Sequence, residues 1–254
     1  AVEDLRPTRD VDFLAVGIQG DAEIRTALEA ICAIPCPEDG VVFNPATIRI
    51  DTIRDEQMYG GLRVRVQGRL GQARLPLQID IGFGDAITPE CDEQDYPTLL
   101  DLPVPRLWTY PRETLVAEKF EAMVRLGTPN SRVKDLWDLA MLAHRFAFDG
   151  ETLRTAIAET FRRRRTTFAA ERPVALFPDY YEDAVRAQRW GELQRQVETS
   201  PDVPTRLVDV GEDLCRFLGP VYDSLSNNSH FMLAWPAGGP WRPGIQSRGE
   251  GGAR

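Results

Sequence analysis

Two spacings of apolar residues divide the chain. Up to about residue 83 they tend to recur at every second position, and from Arg112 onward at every third or fourth. Val11, Phe13 and Ala15 alternate with Asp10, Asp12 and Leu14, which predicts a strand led in by Arg6-Pro7-Thr8. Asp21 then stands as an N-cap before Ile24, Leu28 and Ile31 at helical spacing, and Pro35 stops that helix. Alternation returns over Ala46–Ile53, Leu62–Leu70 and Leu75–Phe83. Gly60-Gly61 and Gly71 suit the tight connections of consecutive antiparallel strands. Helices are predicted at about 112–126, 131–146, 151–163, 180–198 and 205–226. From Pro236 the text is rich in glycine and proline, and its end has almost no apolar residues, which predicts a disordered tail. The expected architecture is α+β. A mixed or antiparallel sheet with flanking helices spans 1–105, a helical domain spans 106–235, and the tail spans 236–254.

Composition narrows what such a chain can do. At 254 residues and 43% hydrophobic it can bury a sizeable core. A formal net charge of −9 argues against coating nucleic acid by bulk electrostatics, so any RNA partner must be gripped locally. The run Arg162-Arg163-Arg164-Arg165 is one such patch, although a like-charged run at a helix end is more often a solvated face. Cys32, Cys36, Cys91 and Cys215 form no Cys-x-x-Cys pair, and His144 and His230 have no nearby cysteine, which argues against zinc. With no signal peptide and no apolar run near the length of a bilayer span, the expected compartment is the cytoplasm. The chain opens at Ala1, without an initiator methionine and only a short polar stretch before the first strand, which reads as a fragment.

The chemistry gathers in a few acidic positions. The pleat puts Asp10 and Asp12 on one strand face with Cα atoms roughly 6.5 Å apart, so their oxygens can converge on one ion, and hard oxygen ligands select magnesium. In Leu75–Phe83 the residues Leu77, Ile79, Ile81 and Phe83 claim the apolar face, and Asp80 points the other way. If the two strands are neighbours, three carboxylates meet; a divalent cation bridging triphosphate oxygens is the usual offset to their repulsion. Taken singly, each aspartate would read as a turn cap or a solvated side chain. Further on, stepping the helix near Leu115 at about 100° per residue groups Leu115, Val116, Phe120, Ala122, Met123 and Leu126 on one arc, with Lys119 inside it. Glu118, Glu121 and Arg125 fall on the opposite side, leaving Lys119 as the one charged residue aimed inward. An inward lysine meets a buried carboxylate or a substrate phosphate. In the next helix Asp135 and Asp138 share a flank; Asp135 either stabilises the helix dipole, orients Lys119 or serves as a base toward an acceptor hydroxyl.

Four segments in series carry a resemblance: Arg6-Pro7-Thr8-Arg9-Asp10-Val11-Asp12-Phe13-Leu14, Ile79-Asp80-Ile81-Gly82-Phe83-Gly84-Asp85, Glu113-Thr114-Leu115-Val116-Ala117-Glu118-Lys119, and Asn130-Ser131-Arg132-Val133-Lys134-Asp135-Leu136-Trp137-Asp138-Leu139. In order and spacing they resemble the AbiEii/AbiGii toxin family of nucleotidyltransferases, relatives of the polymerase-beta-like transferases. Phe217-Leu218-Gly219-Pro220 through Trp235 to Gly238-Gly239-Pro240-Trp241 resembles the family's closing helix and tail. The resemblance implies a nucleotidyltransferase sheet and a nucleoside triphosphate substrate. Asp10 and Asp12 would bind magnesium, Asp80 would be a third acid and metal ligand, Lys119 would bind phosphate, and Lys119 and Asp135 would be the later active-site residues. It also implies an RNA acceptor, particularly tRNA, and a cognate antitoxin protein. Family members carry a glycine-rich segment ahead of the Asp-x-Asp that cradles the triphosphate, and this chain begins after that point, so the nucleotidyltransferase core is expected to lack its first strand and turn. Two alternatives therefore stand beside a toxin that modifies RNA: an inactive remnant that keeps an antitoxin-binding surface, and a transferase acting on a small molecule.

Overall fold

The computed structural model describes residues 10–17, 20–37, 39–53, 61–96, 98, 101–130, 132–197 and 203–244. The chain divides into two compact units. One is built on Arg6–Asp85 with Asp95–Leu107, the other on Ala86–Gln94 with Trp108–Arg254. The segment 86–94 thus groups with the helices, whereas the expected boundary near residue 105 placed it with the sheet.

In the first unit, β1 (Asp10–Ala15) is followed by α1 (Asp21–Cys32) and then by β2 (Val41–Ile53), β3 (Gly61–Leu70) and β4 (Ala73–Phe83). The sheet order is β1-β4-β3-β2. The hairpins β2–β3 and β3–β4 are antiparallel, as the glycine-punctuated alternation predicts, and β1 joins β4 in parallel. The alternation of each strand sorts its side chains. Val64, Val66, Ile79 and Ile81 are buried with Ile48 and with Ile24 of α1, and Leu62, Leu77, Ala15, Leu28 and Phe83 pack against them. The opposite face carries Asp12, Asp80, Arg63, Arg65 and Asp51. Gly68 lets this sheet close properly: a Cβ there would sit 3.0 Å from the ring of Phe43 in the neighbouring strand. Gly20, not Asp21, caps α1, at φ 150, and Asp21 is the first helical residue.

A two-stranded ribbon is formed by β5 (Asp92–Asp95) and β6 (Arg106–Thr109), and the second unit then carries α2 (Arg112–Leu126), α3 (Val133–Arg145), α4 (Gly150–Arg163), α5 (Ala184–Gln194) and α6 (Leu207–Ser226). Among the described residues, five α-helices appear here where the 3.6-residue period predicts five. The fourth is shorter than expected, because Pro178–Tyr180 winds as a separate 3-10 turn before Asp183 caps α5 on the N–H of Arg186. Phe120, Leu136, Leu139, Leu153, Ile157, Phe161, Leu214, Phe217 and Tyr222 form its core. Each such side chain, fully buried, contributes about 1.5–3 kcal/mol. Three very short strands, β7 (Phe148–Asp149), β8 (Leu233–Trp235) and β9 (Arg242–Pro243), fold the C-terminal segment back onto α6. Trp241 stacks on Phe217 and donates its indole N–H to the Phe217 carbonyl at 2.8 Å, while Trp235 donates to the Ala143 carbonyl at 2.7 Å. Residues 236–244 are therefore anchored structure, contrary to the expectation of a disordered tail from 236. The aromatic rings outweigh the local glycine and proline content.

Candidate active site

In the first unit, parallel register sets Asp12 directly beside Asp80, and antiparallel register sets Asp80 beside Arg63 and Arg63 beside Asp51. The row Asp12–Asp80–Arg63–Asp51 crosses the whole sheet. Neighbouring strands lie about 4.8 Å apart, so two adjacent carboxylates repel unless a cation intervenes. Arg63 supplies part of that compensation. Its Nε donates to Asp80 Oδ1 at 2.8 Å and its Nη2 to Oδ2 at 2.6 Å, a two-bond fork that fixes the Asp80 carboxylate plane. Asp12 is exposed at the far end of the row. Asp10 holds the register position opposite Gln78; its side chain lies outside the described residues. The expected triad is thus present as an adjacent pair, Asp12 and Asp80. Among the described residues no group of three or more His, Cys, Asp and Glu side chains stands together as a metal cluster.

In the second unit Lys119 and Asp135 come together. Lys119 Nζ lies 3.2 Å from Asp135 Oδ1 and 2.8 Å from Asp138 Oδ2, so two of its three N–H groups are committed to α3. Burial alone would push the ammonium pKa down. The attraction of Asp138 and Asp135, with their hydrogen bonds, outweighs it, and the pKa lies above the ordinary lysine value. The inward lysine therefore meets carboxylates, and Asp138 is the nearer of the two. Asp135 is 4% exposed and also lies against Arg132, whose Nε is 2.6 Å from its Oδ2.

The turn that carries Arg132 is tied down from below. Gly127 ends α2 at φ 56, a conformation that favours glycine, and donates to the Met123 carbonyl. Asn130 Oδ1 accepts the Arg132 N–H at 2.9 Å. The buried Arg186 of α5 donates to the carbonyls of Thr128 at 2.8 Å and Asn130 at 3.3 Å, and stacks over the Tyr180 ring at 3.7 Å. Burial holds the Tyr180 phenol above its ordinary pKa, against the opposing pull of Arg186.

Lys119 is not the one charged residue of α2 turned inward. Glu121 is fully buried. It accepts from Arg125 at 3.2 Å, from Thr166 Oγ1 at 2.6 Å and from Arg164 at 3.1 Å. A helical wheel assumes one buried face, but α2 also packs against α4, and a second line, Thr114–Ala117–Glu121, is buried as well. The same contact explains part of the arginine run. Arg164 is drawn to Glu121 and Glu118, while Arg162 pairs with Glu159 at the surface. Sequence reasoning passed over Arg63, Arg186 and the burial of Glu121. Arg63 was findable, because it alternates with Val64 and so shares the polar strand face with Asp80 once the β3–β4 hairpin is drawn.

A family model described as nucleotidyl transferase AbiEii toxin, type IV toxin–antitoxin system, matches residues 3–213. That span includes all four motif segments and stops before the segments at 217–241. No curated protein matches. Among solved structures, JHP933 from Helicobacter pylori is similar at 16% identity over 88% of this chain and 79% of its own, with a TM-score of 0.46. A candidate nucleotidyltransferase from H. pylori is similar at 16% identity over 89% and 83%, with a TM-score of 0.45. Among the described residues no helix is long and apolar enough to cross a membrane.

Proposed function

The chain belongs to the AbiEii nucleotidyltransferase toxin family of type IV toxin–antitoxin systems, and on that premise we propose that it transfers a nucleotide from a nucleoside triphosphate to an RNA acceptor with magnesium held by Asp10 and Asp12. The observation that carries this reading is the register of Asp12 beside Asp80 on the polar face of a sheet whose other face is core. Carboxylate oxygens at strand spacing are the donor set that suits a hard divalent ion. Bound there, magnesium would supply positive charge against the triphosphate and the departing pyrophosphate.

The chain's own residues divide the remaining work. Asp80, fixed by the Arg63 fork and set beside Asp12 by the register, serves as the third acid of the row. Lys119 keeps one N–H beyond those given to Asp135 and Asp138, and that donor addresses a phosphate oxygen. Asp135 acts as a positioning residue, since Lys119 and Arg132 occupy both of its oxygens. Catalysis in this scheme rests on orientation and charge stabilisation rather than on a protein nucleophile. A cognate antitoxin is the expected protein partner.

The test incubates the full chain with each α-labelled nucleoside triphosphate in turn, magnesium and total RNA. Label on RNA from the native chain, lost in a folded Asp12→Ala variant, is the expected result. No label with any nucleotide from folded protein, or undiminished label in the variant, overturns the proposal. Magnesium-dependent transfer that proceeds without RNA moves the acceptor to a small molecule.

A further inference from the structure

On the polar face of the first unit's sheet two arginine pairs stand directly across neighbouring strands. Arg49 opposes Arg65, and Arg69 opposes Arg74. All four are exposed. Like charges directly opposite one another destabilise a sheet, and the local compensation is meagre. Asp51 lies 2.6 Å from Arg65, giving the first pair one carboxylate for two guanidiniums. Arg69 and Arg74 have no acidic partner among the described residues. A chain with 39 acidic against 30 basic residues has ample carboxylates to place there, so one half-compensated pair and one with no acidic partner among the described residues stand out against its composition.

Their arrangement is linear. Arg63, Arg65 and Arg69 share one face of β3, and from Arg63 to Arg69 the strand rises roughly 20 Å. The line begins at the row holding Asp80 and Asp12 and ends at the β3–β4 turn. Between the arginines the same face shows Gln67, Pro76 and Gln78 and, among the described residues, no aromatic ring. Guanidinium forks match phosphate oxygens, and with no ring on which a base could stack, contacts on this face go to the backbone of a nucleic acid rather than to its bases.

We propose that Arg49, Arg65, Arg69 and Arg74 form a track for the phosphodiester backbone of the RNA acceptor, leading its reactive end to Asp12. This rests on RNA being the acceptor. An evenly charged polymer relieves both arginine pairs at once, and the track's junction with the acidic row is where an acceptor must arrive. An acidic protein segment would satisfy the charges without needing that junction.

The experiment measures binding of fluorescently labelled total tRNA to the full chain by anisotropy over a salt series, for the native protein, Arg69→Gln/Arg74→Gln and Arg69→Lys/Arg74→Lys. The glutamine variant is expected to bind about tenfold more weakly at physiological salt, with a log–log salt slope smaller by about 2. The lysine variant should keep the native slope. Because the substitution removes a repulsive pair, the glutamine variant should also melt no lower than the native chain. Native affinity and slope in the glutamine variant overturn the track, as does weakened binding accompanied by early melting. Loss of antitoxin binding with RNA binding intact overturns it in favour of a protein-docking face. If the native chain binds RNA through these arginines but labels none, the transfer reading fails, and what stands is an RNA-binding face with no acceptor to lead. If it labels RNA and the glutamine variant labels it equally, the track fails and the transfer reading stands.

Discussion

Replacing Lys119 with alanine tests the clasp between α2 and α3. The side chains of Asp135 and Asp138 are only 6% and 14% exposed, and the substitution removes a cation 3.2 Å from one and 2.8 Å from the other. Breaking a buried ion pair by deleting one partner costs about 3–5 kcal/mol, mostly through the desolvated charge left behind. Asp135 keeps Arg132, and Lys119 is itself 20% exposed, so the lower end, about 3 kcal/mol, is expected. For a chain of this size that is a fall in melting temperature of roughly 6–12 °C. The assay is thermal unfolding followed by circular dichroism at neutral pH. The sign of the pH dependence follows from the raised lysine pKa. The stabilisation is fully present below the unfolded lysine pKa of about 10.4 and is lost only as pH rises through the higher folded value. The gap between native and variant melting should therefore stay flat from neutral to mildly alkaline pH and close only beyond it. A variant that melts with the native chain at neutral pH would refute the clasp. Because this loss is structural, reduced transfer by Lys119→Ala alone says little about phosphate binding. The informative companion is Lys119→Ala/Asp138→Asn, which removes charge of both signs; if the free N–H of Lys119 addresses phosphate, this variant regains stability without regaining transfer.

Two further outcomes follow from packing and charge elsewhere in the helical unit. A Cβ on Gly211 of α6 would run into the ring of Tyr181, which is 1% exposed and held by a 2.8 Å hydrogen bond to the Ala175 carbonyl. Gly211→Ala should therefore cost roughly 1–3 kcal/mol by urea unfolding, and a neutral result would mean that the ring has room to move. The Asp223 carboxyl is held below its ordinary pKa by the hydrogen bond from Arg172 at 2.8 Å, against a smaller opposing effect of burial. Its contribution is present above the unfolded carboxylate pKa and lost as pH falls through the folded value. Native protein and Asp223→Asn should thus differ in melting temperature at neutral pH and converge in acid; a difference that persists in acid would contradict the pairing.

How much of this was readable in the sequence depends on the range of the interaction. Strand alternation fixes which way Asp80 points, because Ile79 and Ile81 need the core, and glycines mark where β3 turns into β4. The parallel pairing that brings Asp12 to Asp80 joins segments nearly seventy residues apart, and nothing local encodes it. The resemblance to a family supplied that step. Helices were legible for the same local reason, and the error at 180–198 came from Pro178 and Asp183 restarting the chain. Lys119 was recognisable as inward and Asp135 as one candidate partner, yet Asp138 as the nearer partner required the α2–α3 packing to be known. Glu121 was misplaced because a wheel projection cannot register a second buried face. The anchoring of Trp241 on Phe217 was hidden by the glycine and proline around it, which describe the backbone's freedom and say nothing of what a tryptophan finds to pack against.

The central claim is that Asp10 and Asp12 hold a divalent ion together with a nucleoside triphosphate. Manganese is a spectroscopic probe for magnesium at such an oxygen site, and electron paramagnetic resonance counts the bound ion directly. Titrating Mn2+ into the native chain with a non-hydrolysable triphosphate should show a tight site that disappears in the folded Asp10→Asn/Asp12→Asn variant. Equal manganese occupancy in both proteins would contradict the claim.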